Sequence, residues 1–220
     1  VKQDTTLMKL RAGVINGSKN PQFSFATTLT GEIRDRDAEL VVDYKNGKGE
    51  TGILLGVNAR PLFEGHGKGN GIAFTLIPEN PIVAYQKFHF NENHNWIYLH
   101  KNMRVYANVD MWDEEGMGFR VHSIPGDTVS LQNIDVEVRR IRLQEIMSVL
   151  PYFPEISGLF SLEAHYVQTE KDLQLSAEAS IDELTYERQR IGDVALGAVW
   201  LPGEQGKQYL NAYLNHEQVE

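Results

Sequence analysis

The chain has 220 residues, 41% of them hydrophobic, with a formal net charge of −9 and no cysteine. That is enough apolar material for one large β domain or two small ones, while the acidic balance excludes nucleic-acid binding, which needs clustered Lys and Arg to release counterions from phosphates, and disfavours docking on anionic headgroups. Without thiols there is no disulfide framework, no thiolate zinc site and no thiol nucleophile.

The chain opens on Val1 and stops at Glu220 inside a polar, strand-like run, so both ends are expected to be cut from something longer. No stretch approaches the roughly 18 apolar residues of a membrane span, and no charged-then-apolar leader is present. An anchor or export signal is therefore expected outside this sequence.

Residues 1–127 predict an irregular β region, with strands at Phe23–Ile33, Glu39–Tyr44, Gly52–Asn58, Ile72–Ile77, Trp96–His100, Val105–Met111 and Gly118–His122. Asn46-Gly47, Pro78-Glu79-Asn80-Pro81 and Pro125-Gly126-Asp127 are expected to turn the chain, because their residues favour turn dihedrals or stop a ladder. Gly65 to Gly71 is glycine-rich, but it lacks the Gly-Lys-Ser/Thr ending of a phosphate loop and leads into an apolar run; a surface turn is expected. Asp110, Asp113, Glu114 and Glu115 around Trp112 are read as a solvated turn. His89, His94 and His100 are read as surface histidines, without the helical pair or thiolates of a metal site. No cofactor or metal is expected, and with no Gly-x-Ser-x-Gly elbow no enzyme is expected either.

Residues 128–220 carry the clearest signal. Ile134, Val136 and Val138 alternate with Asp135, Glu137 and Arg139, predicting a strand. Leu143, Ile146, Met147 and Leu150 then fall at helical spacing, predicting a short amphipathic helix over 142–150 that Pro151 stops. From Gly158 onward the period is two. Phe160, Leu162, Ala164 and Tyr166 are followed by Leu173, Leu175, Ala177, Ala179 and Ile181, then Val194, Leu196, Ala198 and Trp200, then Leu210, Ala212 and Leu214. The connectors Thr169–Lys171, Glu187–Arg190 and Pro202–Gly206 are short and polar, so the four strands predict an antiparallel meander.

The order Asn133–Val138, helix, Ile156-Ser157-Gly158-Leu159-Phe160-Ser161-Leu162 resembles the recurring unit of the TamB/AsmA-like family. Leu184-Thr185-Tyr186 followed by Ile191-Gly192-Asp193-Val194-Ala195-Leu196 is similar to a phrase in TamB homologues of the Bacteroides type. The resemblance covers residues 133–220 and is loose before them. It implies an all-β, curled, groove-like sheet with an apolar concave side, in a protein anchored in the inner membrane and spanning the periplasm. It also implies a role in phospholipid transport or outer-membrane protein assembly, with an outer-membrane assembly factor as partner.

Under that reading Phe160, Leu162, Tyr166, Leu173, Leu175, Ile181, Val194, Leu196, Trp200, Leu210 and Leu214 line a groove for phospholipid acyl chains or β-strands. An ordinary closed sandwich core would have the same periodicity. The alternative function is a carbohydrate-binding or adhesion module, for which Trp96, Tyr98, Tyr106 and Trp112 would form an outward aromatic platform. Tyr209–His216 lacks internal charge and proline, so edge-strand self-association is expected there. Lys or Pro at Asn211 is expected to weaken it, provided that N–H points outward.

Overall fold

The computed structural model describes residues 7–20, 23–62, 71–124, 126–127, 129–149, 153–203 and 207–217. Side chains that alternate between apolar and polar give a strand one face to bury, and that pattern runs through most of these residues. The first half forms β1 (Leu7–Asn16), β2 (Phe25–Arg34), β3 (Asp37–Asn46), β4 (Thr51–Leu62), β5 (Gly71–Val83), the two-residue β6 (Gln86–Lys87) and β7 (His89–His100). Then come β8 (Val105–Trp112), β9 (Gly118–Ser123), β10 (Gln132–Arg142) and the helix α1 (Leu143–Ser148). β11 (Ile156–Gln168), β12 (Leu173–Tyr186), β13 (Gln189–Pro202) and β14 (Gln208–Glu217) follow.

All pairings are antiparallel, and the strands lie in the sheet in sequence order, with β6 attached only to β5. β1 and β14 are its two edges, so the 14-stranded sheet is an all-β meander that does not close into a barrel. Between β9 and β10, where the sequence suggests a division into 1–127 and 128–220, the strands pair directly from Gly118–Ser123 to Ile134–Arg139 and the sheet passes through uninterrupted.

The register keeps one face apolar from edge to edge. Met8, Ile33, Ala38, Ala59, Phe74, Ile97 and Ala107 stand opposite one another in turn from β1 to β8. The same row resumes in β9 with Ser123 and continues through Ile134, Tyr166, Leu175, Trp200 and Leu210 to β14. Ser123 is the polar member of this row, and its hydroxyl accepts the Ala107 N–H at 2.9 Å. Because a one-residue slip would reverse every side chain, the apolar row fixes the pairing of the whole sheet.

The sheet is curled toward its apolar side. Val149, just after α1, lies against Gly52 and Tyr44, so closely that a Cβ on Gly52 would meet both the Val149 Cγ1 and the Tyr44 ring at 2.9 Å. Following the sheet from β10 to β4 crosses five strand spacings, about 24 Å at the usual separation, far more than the length of a six-residue helix. Only a sheet rolled around α1 brings these residues together. Among the described residues every strand belongs to this one sheet, and no second sheet is present.

Four expectations are corrected. Pro78-Glu79-Asn80-Pro81 does not end a strand: β5 continues through it, and the four residues bulge opposite Leu55 while pairing resumes at Ile82 with Leu54. Extra residues in one strand are absorbed this way without breaking the sheet. The connector at Glu187 is a two-residue turn, Glu187-Arg188, both with positive φ as a tight primed hairpin requires, and β13 begins at Gln189. Of the acidic group taken for a solvated turn, Asp110 and Asp113 are buried; Asp110 belongs to β8 and Asp113 accepts the N–H groups of Glu115 and Met117. His100 is also buried, edge-on to Tyr106 at 5.3 Å, whereas His89 and His94 are exposed. α1 covers Leu143–Ser148, while Leu150, Pro151 and the glycine-rich stretch 65–70 lie outside the described residues.

Candidate functional site

The eleven residues predicted to line a groove share one face of β11–β14. Phe160, Ile181 and Val194 form one cross-strand row; Leu162, Leu196 and Leu214 belong to the next, with Ala179 between Leu162 and Leu196; Tyr166, Leu175, Trp200 and Leu210 form a third. Leu173 stands opposite Gln168 at the end of the face. Sequence reasoning missed that the face extends across β1–β10, and it missed β1 altogether, although Met8, Leu10, Ala12 and Val14 alternate there with Lys9, Arg11 and Gly13.

Exposure divides this face into a floor and two rims. Val109 and Met111 in the central strand β8 are 1% and 3% exposed, whereas Leu210 and Leu214 at one edge are 64% and 71% exposed. Met8, Leu10 and Val14 at the other edge, and Leu196 on β13, are exposed as well. The arrangement is a trough whose deepest line follows β8 and whose rims present bare leucine, methionine and valine.

One end of the trough is filled. There Phe88, Met111 and Met117 form a buried cluster with Val83, Phe90, Phe119 and Ile141 packed against it, and Val149 and Tyr44 are buried alongside. Burial pushes the Tyr44 hydroxyl above its ordinary range, with a smaller contribution from Tyr85. At the opposite end Ile33 and Ile72 remain exposed. Asn95, a polar residue within the apolar face, spends its amide on the sheet: its Oδ1 accepts the Leu76 N–H and its Nδ2 donates to the Leu76 carbonyl, both at 2.9 Å, extending the β5–β7 ladder by side chain.

The convex face is polar and charged. One register row reads Asp110, Arg120, Glu137, Glu163, Glu178, Gly197, Tyr213 from β8 to β14. Arg120 lies 3.6 Å from Asp110 and 3.4 Å from Glu137, and Asn91 donates to Asp110. In the adjacent row, Asp135 lies 2.6 Å from His165 Nδ1 and 4.0 Å from His122 Nδ1. Among the described residues no group of three or more His, Asp or Glu is arranged to hold a metal ion.

The aromatic residues proposed as a sugar platform also lie on the convex face. Trp96 and Tyr98 stack at 4.4 Å, and Tyr98 stands opposite Tyr106. Trp112 is separate, with the guanidinium groups of Arg139 and Arg120 over its ring at 5.2 and 5.9 Å. All four are half-buried. No helix among the described residues is long and apolar enough to cross a membrane, which leaves open what strands do. No family model, curated protein or solved structure matches the chain.

Proposed function

We propose that this chain is a segment of an envelope protein of the TamB/AsmA-like kind, which holds phospholipid acyl chains in its apolar trough and passes them along it. The observation that carries the reading is the apolar row that crosses a single sheet from Met8 to Leu210, buried along β8 and exposed toward both rims. In a closed sandwich such a face would be covered by facing side chains. An apolar face whose rims stay exposed, as at Met8, Leu10, Leu196, Leu210 and Leu214, is unusual in a soluble domain and points to a binding surface. A lipid chain in water carries about 0.8 kcal/mol per exposed methylene, on the order of 20 kcal/mol for two chains. A trough of aliphatic side chains removes most of that without a headgroup pocket, in keeping with the net negative charge. Periplasmic location, an inner-membrane anchor outside this sequence and an outer-membrane assembly partner follow from the family resemblance and belong to the same proposal. No hydrolytic activity is expected of it.

The test is co-purification. The chain, incubated with phosphatidylethanolamine vesicles and re-isolated, should retain phospholipid detectable by mass spectrometry, and Leu175→Asp and Leu196→Asp should each lower the bound amount at least tenfold. Both variants should still melt cooperatively, because a carboxylate on an open face stays hydrated, whereas in a sealed core it costs several kcal/mol. Folded variants that keep their lipid would reject this face as the site.

A second reading, carbohydrate binding on the convex face, is favoured by the stacked Trp96 and Tyr98 beside Tyr106. Sugar stacking requires a bare ring face, and these rings are half-buried and partly cover each other. A tryptophan fluorescence change on adding oligosaccharide, lost in Trp96→Ala, would move the assignment to that face.

A further inference from the structure

We infer, resting on the trough reading above, that the cavity beside α1 receives the end of an acyl chain and that Val149 is the gate between trough and cavity. The cavity, of about 360 Å³, is lined by Gln144, Met147 and Ser148 from α1 and by Phe153, Ile156 and Thr185 from the segments that follow. Its volume is that of a small-ligand site, roughly 300–1,000 Å³. The Phe153 ring is 60% exposed beside it. Val149, one residue past the helix, reaches instead into the filled end of the trough, where it is buried against Gly52 and Tyr44. α1 therefore stands between the buried end of the lipid face and an open cavity with an aromatic wall.

The seat of Val149 is firmly built. A Cβ at Gly52 would come within 2.9 Å of Val149 and 3.0 Å of the Tyr85 ring, so glycine is what leaves room for the contact. Tyr85 belongs to the two-residue turn Ala84-Tyr85 between β5 and β6, and both residues have positive φ. Bulky side chains rarely adopt that conformation, and such strain persists where surrounding structure holds a side chain in place. Here it sets the Tyr85 ring beside Gly52 and its side chain in a hydrogen bond with Tyr44.

The helix that carries the gate is lightly held. α1 has six residues, buries none of them and has no side-chain N-cap; a helix that short is not stable on its own. Gln144 Oε1 accepts the Gly158 N–H at 3.5 Å, the long limit of a hydrogen bond. Glu145 Oε2 is buried without a partner, which disfavours the seated position. Lifting α1 thus costs chiefly the contacts of Val149, and an acyl chain entering the same apolar seat replaces them.

Two indoles separate the trough from the cavity. Trp200 reports the trough, and Phe153→Trp in a Trp200→Phe background reports the cavity, with phosphatidylcholine brominated on its acyl chains as the quencher. The absence of cysteine allows the gate to be locked by Gly52→Cys with Val149→Cys. The Val149 Cγ1 lies 2.9 Å from a Cβ at Gly52 and one C–C bond, about 1.5 Å, from its own Cβ. The two Cβ atoms are therefore no more than about 4.4 Å apart, within a disulfide's reach of roughly 3.5–4.5 Å. In the oxidised pair, quenching of Trp200 should persist and quenching of the indole at position 153 should be lost; reduction should restore it. Val149→Ala, which adds nothing at Gly52, should bring on quenching at position 153 faster than in the chain that keeps Val149. A pair that does not oxidise, equal quenching at position 153 in oxidised and reduced protein, or none there in Val149→Ala while Trp200 is quenched would each overturn the gate. Quenching at neither position would reject the trough reading, and the gate with it.

Discussion

Glycines on this sheet differ in what they keep apart. A Cβ at Gly118 would sit 2.0 Å from the Met111 carbonyl oxygen, a backbone atom of the neighbouring strand, whereas at Gly197 it would meet the Tyr213 ring at 2.1 Å. The ring can swing away; the strand cannot. Gly118→Ala should therefore destabilise the protein by about 2–3 kcal/mol through forced separation of β8 and β9, and Gly197→Ala by less than about 1 kcal/mol, read as denaturation midpoints at constant m. Equal effects would show that Tyr213 is held as firmly as backbone. Its hydroxyl is pushed above its ordinary range by desolvation and then by Glu178, with which it is hydrogen-bonded. Asp127 is a second special position. Its Oδ1 accepts the Ser130 N–H at 3.0 Å and the Val129 N–H at 2.9 Å, and its Oδ2 accepts from Asn133 at 2.6 Å. These bonds, the Ser130 backbone bond first, hold its carboxyl well below the usual carboxylate range. A depressed folded pKa contributes stability that is present above the unfolded value near 4 and is lost as pH falls through the folded one. Asp127→Ala should thus lower Tm at pH 7 and matter progressively less below pH about 4; a pH-independent penalty would contradict the charge-based account.

Among the elements, the convex charge row makes a prediction of opposite sign. Glu163 stands between Glu137 on β10 and Glu178 on β12, three like charges in adjacent strands. Arg120 and Arg139 lie against Glu137, and Tyr213 bonds Glu178. Directly opposed like charges weaken a sheet and opposed unlike ones strengthen it, each by up to about 1 kcal/mol. Glu163→Lys should raise stability by about 1 kcal/mol at low salt, with the gain shrinking as salt screens it; a loss of stability would show that this row is not where the register places it. The same elements show what sequence can and cannot convey. Leu173–Ile181 and Val194–Trp200 were legible because alternation is uninterrupted and their connectors are short. β1 carries the same alternation through Met8, Leu10, Ala12 and Val14, but stands alone near the start, without the run of neighbouring strands and short connectors that marks the later ones. Pro78–Pro81 misled because proline marks turns locally, while whether a four-residue excursion turns the chain or bulges depends on partner strands that local chemistry does not reveal.

For the whole molecule, the all-β meander was readable because period two, repeated, has few other solutions. Whether its apolar face was covered was not, since a sandwich and an open trough require the same alternation. That distinction resides in the register from β1 to β14 and in the contact of Val149 with Gly52, both long-range. The three tryptophans offer a direct measurement, because Trp200 lies on the apolar face while Trp96 and Trp112 lie on the convex one. Phospholipid brominated on its acyl chains quenches only nearby indoles, so bound lipid should quench the emission of the folded chain through Trp200. Trp200→Phe should abolish the quenching, and the emission of Trp96 and Trp112 should be unaffected. Quenching that survives Trp200→Phe, or none at all when lipid is shown to be bound, would contradict the placement of acyl chains in the trough.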